Sequence, residues 1–488
     1  MNRAAVIGAG LGGMTVAARL AHHGFQVDLF EQRGIPGGKA GNLEMDGFRF
    51  DTGPSVLTMP FVLDEFFDEI GENREDYIEF KSLPLSCRYF YRDGTQLNAY
   101  ADPGEMALEI EKKTQDQSAD LHSYINYTRK IYELAAPVFL FRDFRSLSGL
   151  FQKDFLKIGF KLHRLDPLRS VHRANRSYFS DPKNIQLFDR YATYNGSNPY
   201  RAPATLNIIP YVEHALGSYS VKGGIFALSR GIEKAAKKKG VNFFYRTPVE
   251  KILTHRGRVK GIAAGGEEKE YDVVISNRDV ISTYRDLLNQ KNSRIEKRYS
   301  RLGLSSSTLV FYWGVKGDYP GLDVNNIFFS EDYREEFRDI FHHEREPADP
   351  TVYIHISSKI NSGDAPKGHE NWFVMVNMPP GEGRESIESM REKVFKRLEE
   401  NGIHARGRIV AEDVLTPELI EQRTGSFRGS LYGVSSNSRT SAFLRHSNRS
   451  AKWKGLYFCG GSVHPGGGMP LVLLSGKITA EMVLKRNS

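Results

Sequence analysis

The feature that most constrains this chain stands at its start. Ala4-Ala5-Val6-Ile7 is a short apolar run of the kind that forms a strand buried on both faces. It runs directly into Gly8-Ala9-Gly10-Leu11-Gly12-Gly13, and Thr15 to His22 then reads as a helix closed by Gly24. Val27-Asp28-Leu29-Phe30 is a second strand, ended by Glu31, 18 residues beyond Gly13. A G-x-G-x-x-G between strand and helix, with an acid at the end of the next strand, specifies a βαβ dinucleotide cradle. Gly8 permits the tight turn, Gly10 admits a pyrophosphate to the backbone, and Gly13 lets helix pack on strand. The helix N-terminus offers free N–H groups to phosphate, and Glu31 offers oxygens to a ribose diol while disfavouring a 2′-phosphate.

Composition narrows the class around this cradle. The 488 residues exceed one ordinary domain, and a 40% hydrophobic, 26% charged chain can bury a large core. The net charge of +8 suits an anionic surface but lacks the concentrated stripe expected for nucleic acid, so no nucleic-acid partner is expected. Two cysteines, Cys87 and Cys459, exclude a disulfide scaffold and a Cys-rich metal site. The adjacent pairs His22-His23 and His342-His343 lack ligand spacing, so no metal is expected. No run reaches the ~18–20 apolar residues of a spanning helix, and the N-terminus reads as the start of folded structure rather than a leader.

The segment after Glu31 separates the dinucleotides. Gln32-Arg33-Gly34-Ile35-Pro36-Gly37-Gly38-Lys39 adds a glycine doublet and a cation, followed by Phe50-Asp51-Thr52-Gly53-Pro54-Ser55. This pattern resembles the flavoprotein superfamily of amine oxidases, protoporphyrinogen oxidases and carotenoid desaturases, which implies FAD, with this segment around its phosphates and ribityl chain. Lys39 stands where many members carry Arg, so the cation is kept and the bidentate fork is not. Near the C-terminus a strand, Leu456–Cys459, leads into Gly460-Gly461-Ser462-Val463-His464-Pro465-Gly466-Gly467-Gly468-Met469-Pro470 and a helix to about Lys485. With Phe141-Arg142-Asp143, Val221-Lys222-Gly223-Gly224, Ser276-Asn277-Arg278-Asp279 and Gln422-Arg423, these motifs span nearly the whole chain. They resemble the bacterial carotenoid (phytoene-type) desaturase family, and the tail around Met469 and Ser475-Gly476 is closer to its hydroxycarotenoid 3,4-desaturases.

The resemblance implies an α/β fold: a Rossmann-type FAD-binding domain, a discontinuous second α+β substrate domain, and a helical, membrane-facing part. The expected division is 1–75, 220–300 and 415–488 for FAD, with 76–219 and 301–414 for substrate. Three aromatic and β-branched strands, Phe311–Val315, Val352–Ile356 and Trp372–Val376, are expected to build a second sheet. The cofactor set implied is Gly8, Gly10, Gly12, Gly13, Glu31, Gln32, Arg33, Gly37, Gly38, Lys39, Asp51, Gly53, Pro54, Ser55, Val249, Asn277, Gly460, Gly461, Gly468, Met469 and Pro470. Many relatives carry Gly-Asp at Gly460-Gly461, so no carboxylate is offered to the ribityl there.

The implied reaction is dehydrogenation of an acyclic or monocyclic carotenoid at the 3,4-bond of a hydroxylated end, flavin taking a hydride and the neighbouring carbon losing a proton. Cofactor and substrate then carry the hard chemistry, and the protein binds, orients and excludes water. Asp143, partnered by Arg142, is the candidate proton acceptor, and His464 reads as a support of the C-terminal loop. Lacking a second dinucleotide motif, the chain is expected to reoxidise on oxygen or a quinone. A phytoene- or lycopene-type desaturase, a carotenoid isomerase and a non-enzymatic escort-type lipid binder remain alternatives.

The substrate would come from a bilayer. Phe151, Phe155, Ile158 and Leu162 form an apolar helical stripe, with Lys153, Lys157, Lys161 and Arg164 on the opposite side. Such a basic amphipathic helix fits a membrane surface, so a cytoplasmic protein on the inner face of the cell membrane is expected.

Overall fold

The apolar run at the N-terminus is sandwiched as its composition requires. In the computed structural model, which describes residues 2–141, 162–291, 294–381, 387–438 and 445–487, strand Arg3–Ile7 pairs in parallel with Gln26–Phe30 on one edge and Val273–Ser276 on the other. Leu456–Phe458 and Asn242–Phe244 complete a five-stranded parallel sheet drawn from widely separated parts of the chain. Alternation along the first strand serves two cores. Ala4 and Val6 pack beneath helices Leu11–His22, Ile225–Lys238 and Met469–Asn487, while Ala5 and Ile7 face Ile252, Ile262 and Tyr284.

The second face is covered by an antiparallel hairpin, Val249–His255 and Arg258–Ala264, extended by Glu267–Glu270. Its two-residue turn, Arg256-Gly257, has φ of 47° and 74°, the left-handed pair that matches strand twist. The stretch from Val241 to Val249 reads as one strand in sequence. It is broken after Phe244, because Arg246 takes a positive φ of 52° and Pro248 withholds an N–H. The first helix begins at Leu11 rather than Thr15, so it starts inside the glycine motif.

The second sheet has seven strands, in the order Ile409–Leu415, Ser307–Lys316, His369–Met378, Val352–His355, Asn325–Phe328, Leu85–Phe90 and Gln96–Tyr100. The three strands expected from sequence are neighbours in it. Period-2 alternation sorts strand Ser307–Lys316: Leu309, Phe311, Trp313 and Val315 pack under helix Ile387–Glu399, and Trp313 stacks on Phe395 at 5.0 Å. Thr308 and Val310 point the other way, into a cavity. Helices Pro103–Lys113, Ser118–Ala135, Pro182–Asp189 and Ile208–Leu216 flank the Leu85–Phe90 side.

Among the described residues no helix is long and apolar enough to cross a membrane. Arg142, Asp143 and the stripe from Phe151 to Lys161 lie outside the described residues.

Candidate active site

The carboxyl ends of the parallel strands arrive level with one another. Ile7 pairs with Phe30 and with Ser276, and Ser276 pairs with Phe458, so Gly8, Glu31 and Asn277 leave the sheet along one edge, with Gly460 one residue beyond. In open α/β sheets that edge is where ligands sit. A cavity of about 760 Å³ opens there and continues over the second sheet.

The nucleotide end is preformed. Both oxygens of the buried Glu31 accept backbone N–H bonds, Oε2 from Ala9 at 2.8 Å and Oε1 from Arg33 at 2.9 Å, which fixes the carboxylate while leaving lone pairs for a diol. Helix Leu11–His22 has no side-chain cap, so its first amides stay open to an anion. A Cβ on Gly13 would stand 2.1 Å from the Gly8 carbonyl, so helix and turn close only with glycine there. Gly37 has φ of 105°, donates to the Ala9 carbonyl at 2.8 Å and bridges to Gly10, tying the doublet loop to the cradle. Asn277 Nδ2 donates to the Gly8 carbonyl at 3.3 Å. These features fit an FAD pyrophosphate and ribose.

Of the expected cofactor residues, Gly8, Gly10, Glu31, Gln32, Arg33, Gly37, Gly38, Lys39, Gly53, Pro54, Ser55, Val249, Asn277, Gly460, Gly461, Gly468, Met469 and Pro470 line this one cavity. Gly12 and Gly13 lie behind it, in the turn. Asp51 requires a correction. Its oxygens accept from the Ile225 and Phe226 N–H groups, both at 2.9 Å, and Arg49 Nη2 donates to Oδ1 at 2.9 Å. Asp51 therefore caps helix Ile225–Lys238 instead of lining the cavity, because a buried carboxylate must be paired and that helix supplies donors. Burial pushes its carboxyl above the usual range, against Arg49 and the two amides. His464 is also buried outside the lining, its carbonyl accepting from Asn448 Nδ2 and Ser475 Oγ, both at 2.9 Å.

Lys39 is the buried cation of the flavin segment. Its Nζ donates to the Leu431 and Ser430 carbonyls at 2.6 and 3.2 Å, and burial lowers it to about 8 while Asp279 opposes. Asp279 lines the cavity as well, held by the Ile281 N–H at 2.9 Å and pushed upward by burial.

Beyond Ser55 the floor is the second sheet. Register aligns Leu415, Val310, Met375, Tyr353, Ile327 and Tyr89 in one row across six strands, about 24 Å at ~4.8 Å per strand. The first five line the cavity. Tyr353 joins the two ends: its hydroxyl lies 2.5 Å from Ser55 Oγ and donates to Asn325 Oδ1 at 2.8 Å. Tyr353 and Arg190 were not singled out in the sequence, and Asp279 stood there only as part of the Ser276–Asp279 motif, without a role; the alternation of the strand carrying Tyr353 could have singled that residue out. Away from the lining, Glu335, Asp339 and His343 bring ligand atoms within 4.8 Å of one another, although Asp339 already accepts from Arg345 and the Ala348 N–H.

A two-layered Rossmann-type protein with a dinucleotide cradle opening onto a long apolar slot is a flavin-dependent oxidoreductase in build. The chain belongs to the flavin-containing amine oxidoreductase family, whose model matches residues 11–290, and it is an FAD-dependent enzyme. It is 40% identical, over 493 aligned residues covering 100% of both sequences, to 1-hydroxycarotenoid 3,4-desaturase of Flavobacterium sp. strain P99-3. It is 34% identical to 4,4'-diaponeurosporene oxygenase of Staphylococcus haemolyticus, over 98% of this chain and 96% of that one. An oxidoreductase from Methanosarcina mazei superposes with a TM-score of 0.65 at 18% identity, covering 99% of this chain and 100% of that one, a likeness of fold.

Two outcomes follow from these placements. Asp51→Ala removes a buried helix cap and should cost about 2 kcal/mol, read as a lower urea midpoint, with FAD uptake retained in the folded fraction. Lys39 titrates below its unfolded value of 10.5, so its charged form costs stability in the apoprotein below pH 8, a cost relieved as pH rises from about 8 towards 10.5. FAD binding has the opposite sign, because an anionic cofactor favours the ammonium. Fluorescence titration should show affinity falling about tenfold between pH 7 and 9.5, and Lys39→Met should flatten that dependence.

Proposed function

We propose that this enzyme is a carotenoid desaturase that introduces the 3,4-double bond into an acyclic or monocyclic carotenoid with a hydroxylated end. The observation that carries the reading is the continuity of the cavity from the Gly8–Glu31 edge to the apolar row beneath it. A slot floored for about 19 Å by Leu415, Val310, Met375, Tyr353 and Ile327 suits a rigid hydrocarbon rod far better than a small hydrophilic amine. The full-length relatives named for carotenoids agree with it.

Bound FAD would supply the two-electron acceptor. Glu31, Lys39 and the open amides of the first helix hold its polar half, and the Gly460-Gly461 and Gly468–Pro470 backbone meets the rest. The apolar row orients the polyene and keeps water from it. The one cysteine of the walls is quiet: burial pushes the Cys87 thiol up to about 12, leaving it neutral. Asp143, with Arg142 beside it in sequence, is our candidate proton acceptor. Oxygen or a quinone is our candidate for the final electron acceptor.

The purified holoenzyme, given a hydroxylated acyclic C40 polyene in detergent micelles, should red-shift its absorption by one conjugated double bond. Asp143→Asn should slow that change at least tenfold with FAD retained. Turnover of amines, or of no C40 polyene, would overturn the reading.

The protein should work at the surface of the cell membrane's inner leaflet, since its substrate is water-insoluble and residues 151–164 carry a basic amphipathic pattern. In liposome flotation, wild type should rise with anionic vesicles. The triple variant Lys153→Glu, Lys157→Glu, Lys161→Glu should stay at the bottom with unchanged FAD content; equal flotation would move the entrance elsewhere.

A further inference from the structure

The row across the second sheet ends at a charge. Tyr89, its last member, lies under the guanidinium of Arg190, 5.3 Å from ring centroid to Cζ, and Tyr191 and Tyr194 flank the same group at 4.5 and 5.1 Å. Arg190 is 7% exposed and lines the cavity beside Thr193 and Tyr194. Its Nε and Nη2 make no hydrogen bond of good geometry among the described residues, nor does the Tyr89 hydroxyl, although Tyr194 and the Cys87 thiol stand close enough to interact weakly with the guanidinium and with that hydroxyl. An orphaned donor on a buried cation costs more than the ~1–3 kcal/mol of a neutral one, so at a cavity wall it calls for an explanation such as a bound acceptor.

The chemistry of the missing partner follows from what is already there. Arg donates only, so the partner must accept. The charge is already balanced, because Glu213 Oε1 stands 3.7 Å from Nη2. Glu213 is in turn held by the hydroxyls of Tyr191, at 2.8 Å, and Tyr194. A second carboxylate would make the pocket net negative, whereas a neutral oxygen would fill the open donors without disturbing that balance.

We propose that Arg190 is a specificity-determining residue that binds the neutral oxygen, hydroxyl or carbonyl, at the terminus of the polyene and so sets which end enters and how far. The inference rests on the carotenoid reading above. With the apolar row as the track and Arg190 as its stop, a hydrocarbon end leaves the donors unfilled and an oxygenated end fills them. Sites built on a hydrogen bond reject the analogue lacking it, for this reason.

The test compares a hydroxylated acyclic C40 polyene with its parent hydrocarbon on FAD-loaded protein. Wild type should prefer the hydroxylated substrate. Arg190→Met should raise its KM at least tenfold and lower that of the hydrocarbon, because the orphaned donors are gone. Loss of both substrates in equal proportion, with FAD retained, overturns the proposal and makes Arg190 structural. Should Arg190→Met fail to fold, Glu213→Gln decides: it leaves the cation unbalanced and should shift preference towards a carboxylate-ended polyene. An unchanged preference overturns the proposal. Wild-type turnover of both polyenes at equal kcat/KM overturns it too, while leaving the desaturase reading intact; turnover of neither would sink that reading itself.

Discussion

Parallel pairing of Arg3–Ile7 with Gln26–Phe30 and with Val273–Ser276 is the constraint on which the site depends. Because Ile7, Phe30 and Ser276 share one register, the next residues of three distant segments emerge together as Gly8, Glu31 and Asn277. Slipping any strand by one residue would carry its terminal residue ~3.3 Å along the sheet and turn its buried side chains to the wrong core. The double burial of Ala4 to Ile7 prevents this, since Ala4 and Val6 belong to one core and Ala5 and Ile7 to the other. Glu31 then reaches the Ala9 and Arg33 amides without adjustment, and the cradle exists before any nucleotide arrives.

The second sheet meets a different demand with the same periodicity. A parallel sheet with both faces covered cannot itself offer a long open groove. The seven-stranded sheet can, because its faces are filled unequally: Phe311 and Trp313 go beneath helix Ile387–Glu399, while the other face packs Tyr312 against Phe48 and Phe50 and still leaves Val310, Met375 and Tyr353 lining the cavity. The two systems touch at several points: Tyr353 meets Ser55, Tyr312 donates to the Thr52 carbonyl at 3.4 Å, and Asn371 donates to the Arg49 carbonyl at 2.6 Å. Geometry at the cradle is thereby transmitted to the slot by packed contacts rather than by a flexible linker.

What was legible in the sequence was what short-range spacing encodes. Gly8 to Glu31 lies within one βαβ unit, so the cradle could be read directly, while the Gly37–Lys39 and Gly460–Pro470 segments carried the resemblance that implied the fold class. Helix Pro103–Lys113 shows the same local encoding, with Asp102 capping it through the Glu105 N–H and Pro at its first position. Asp51 was misjudged because a motif position does not say which donors claim a carboxylate, and here they come from a helix 174 residues away. Tyr353, Asn325 and Arg190 were invisible for the complementary reason. They meet through sheet register and helix packing among segments far apart in sequence, and apart from the alternation of the strand carrying Tyr353 no local pattern marks them.

The balance between Arg190 and Glu213 bears on chemistry as well as recognition. In the reaction we propose, positive charge develops along the polyene from the 3,4-bond. An oxygen held by the guanidinium would leave about 8 Å between the cation and that bond. A bare cation at that distance would oppose the developing charge by about 2 kcal/mol at an effective dielectric of ~20, roughly a thirtyfold loss of rate. Glu213, 3.7 Å from the guanidinium, reduces that monopole to a dipole whose field falls off much faster. The tyrosine hydroxyls on Glu213 hold the carboxylate in place while Arg190 Nε and Nη2 keep no hydrogen bond of good geometry. Donor strength for an oxygen is thus retained at the end of the slot, with little electrostatic penalty where the bond is oxidised.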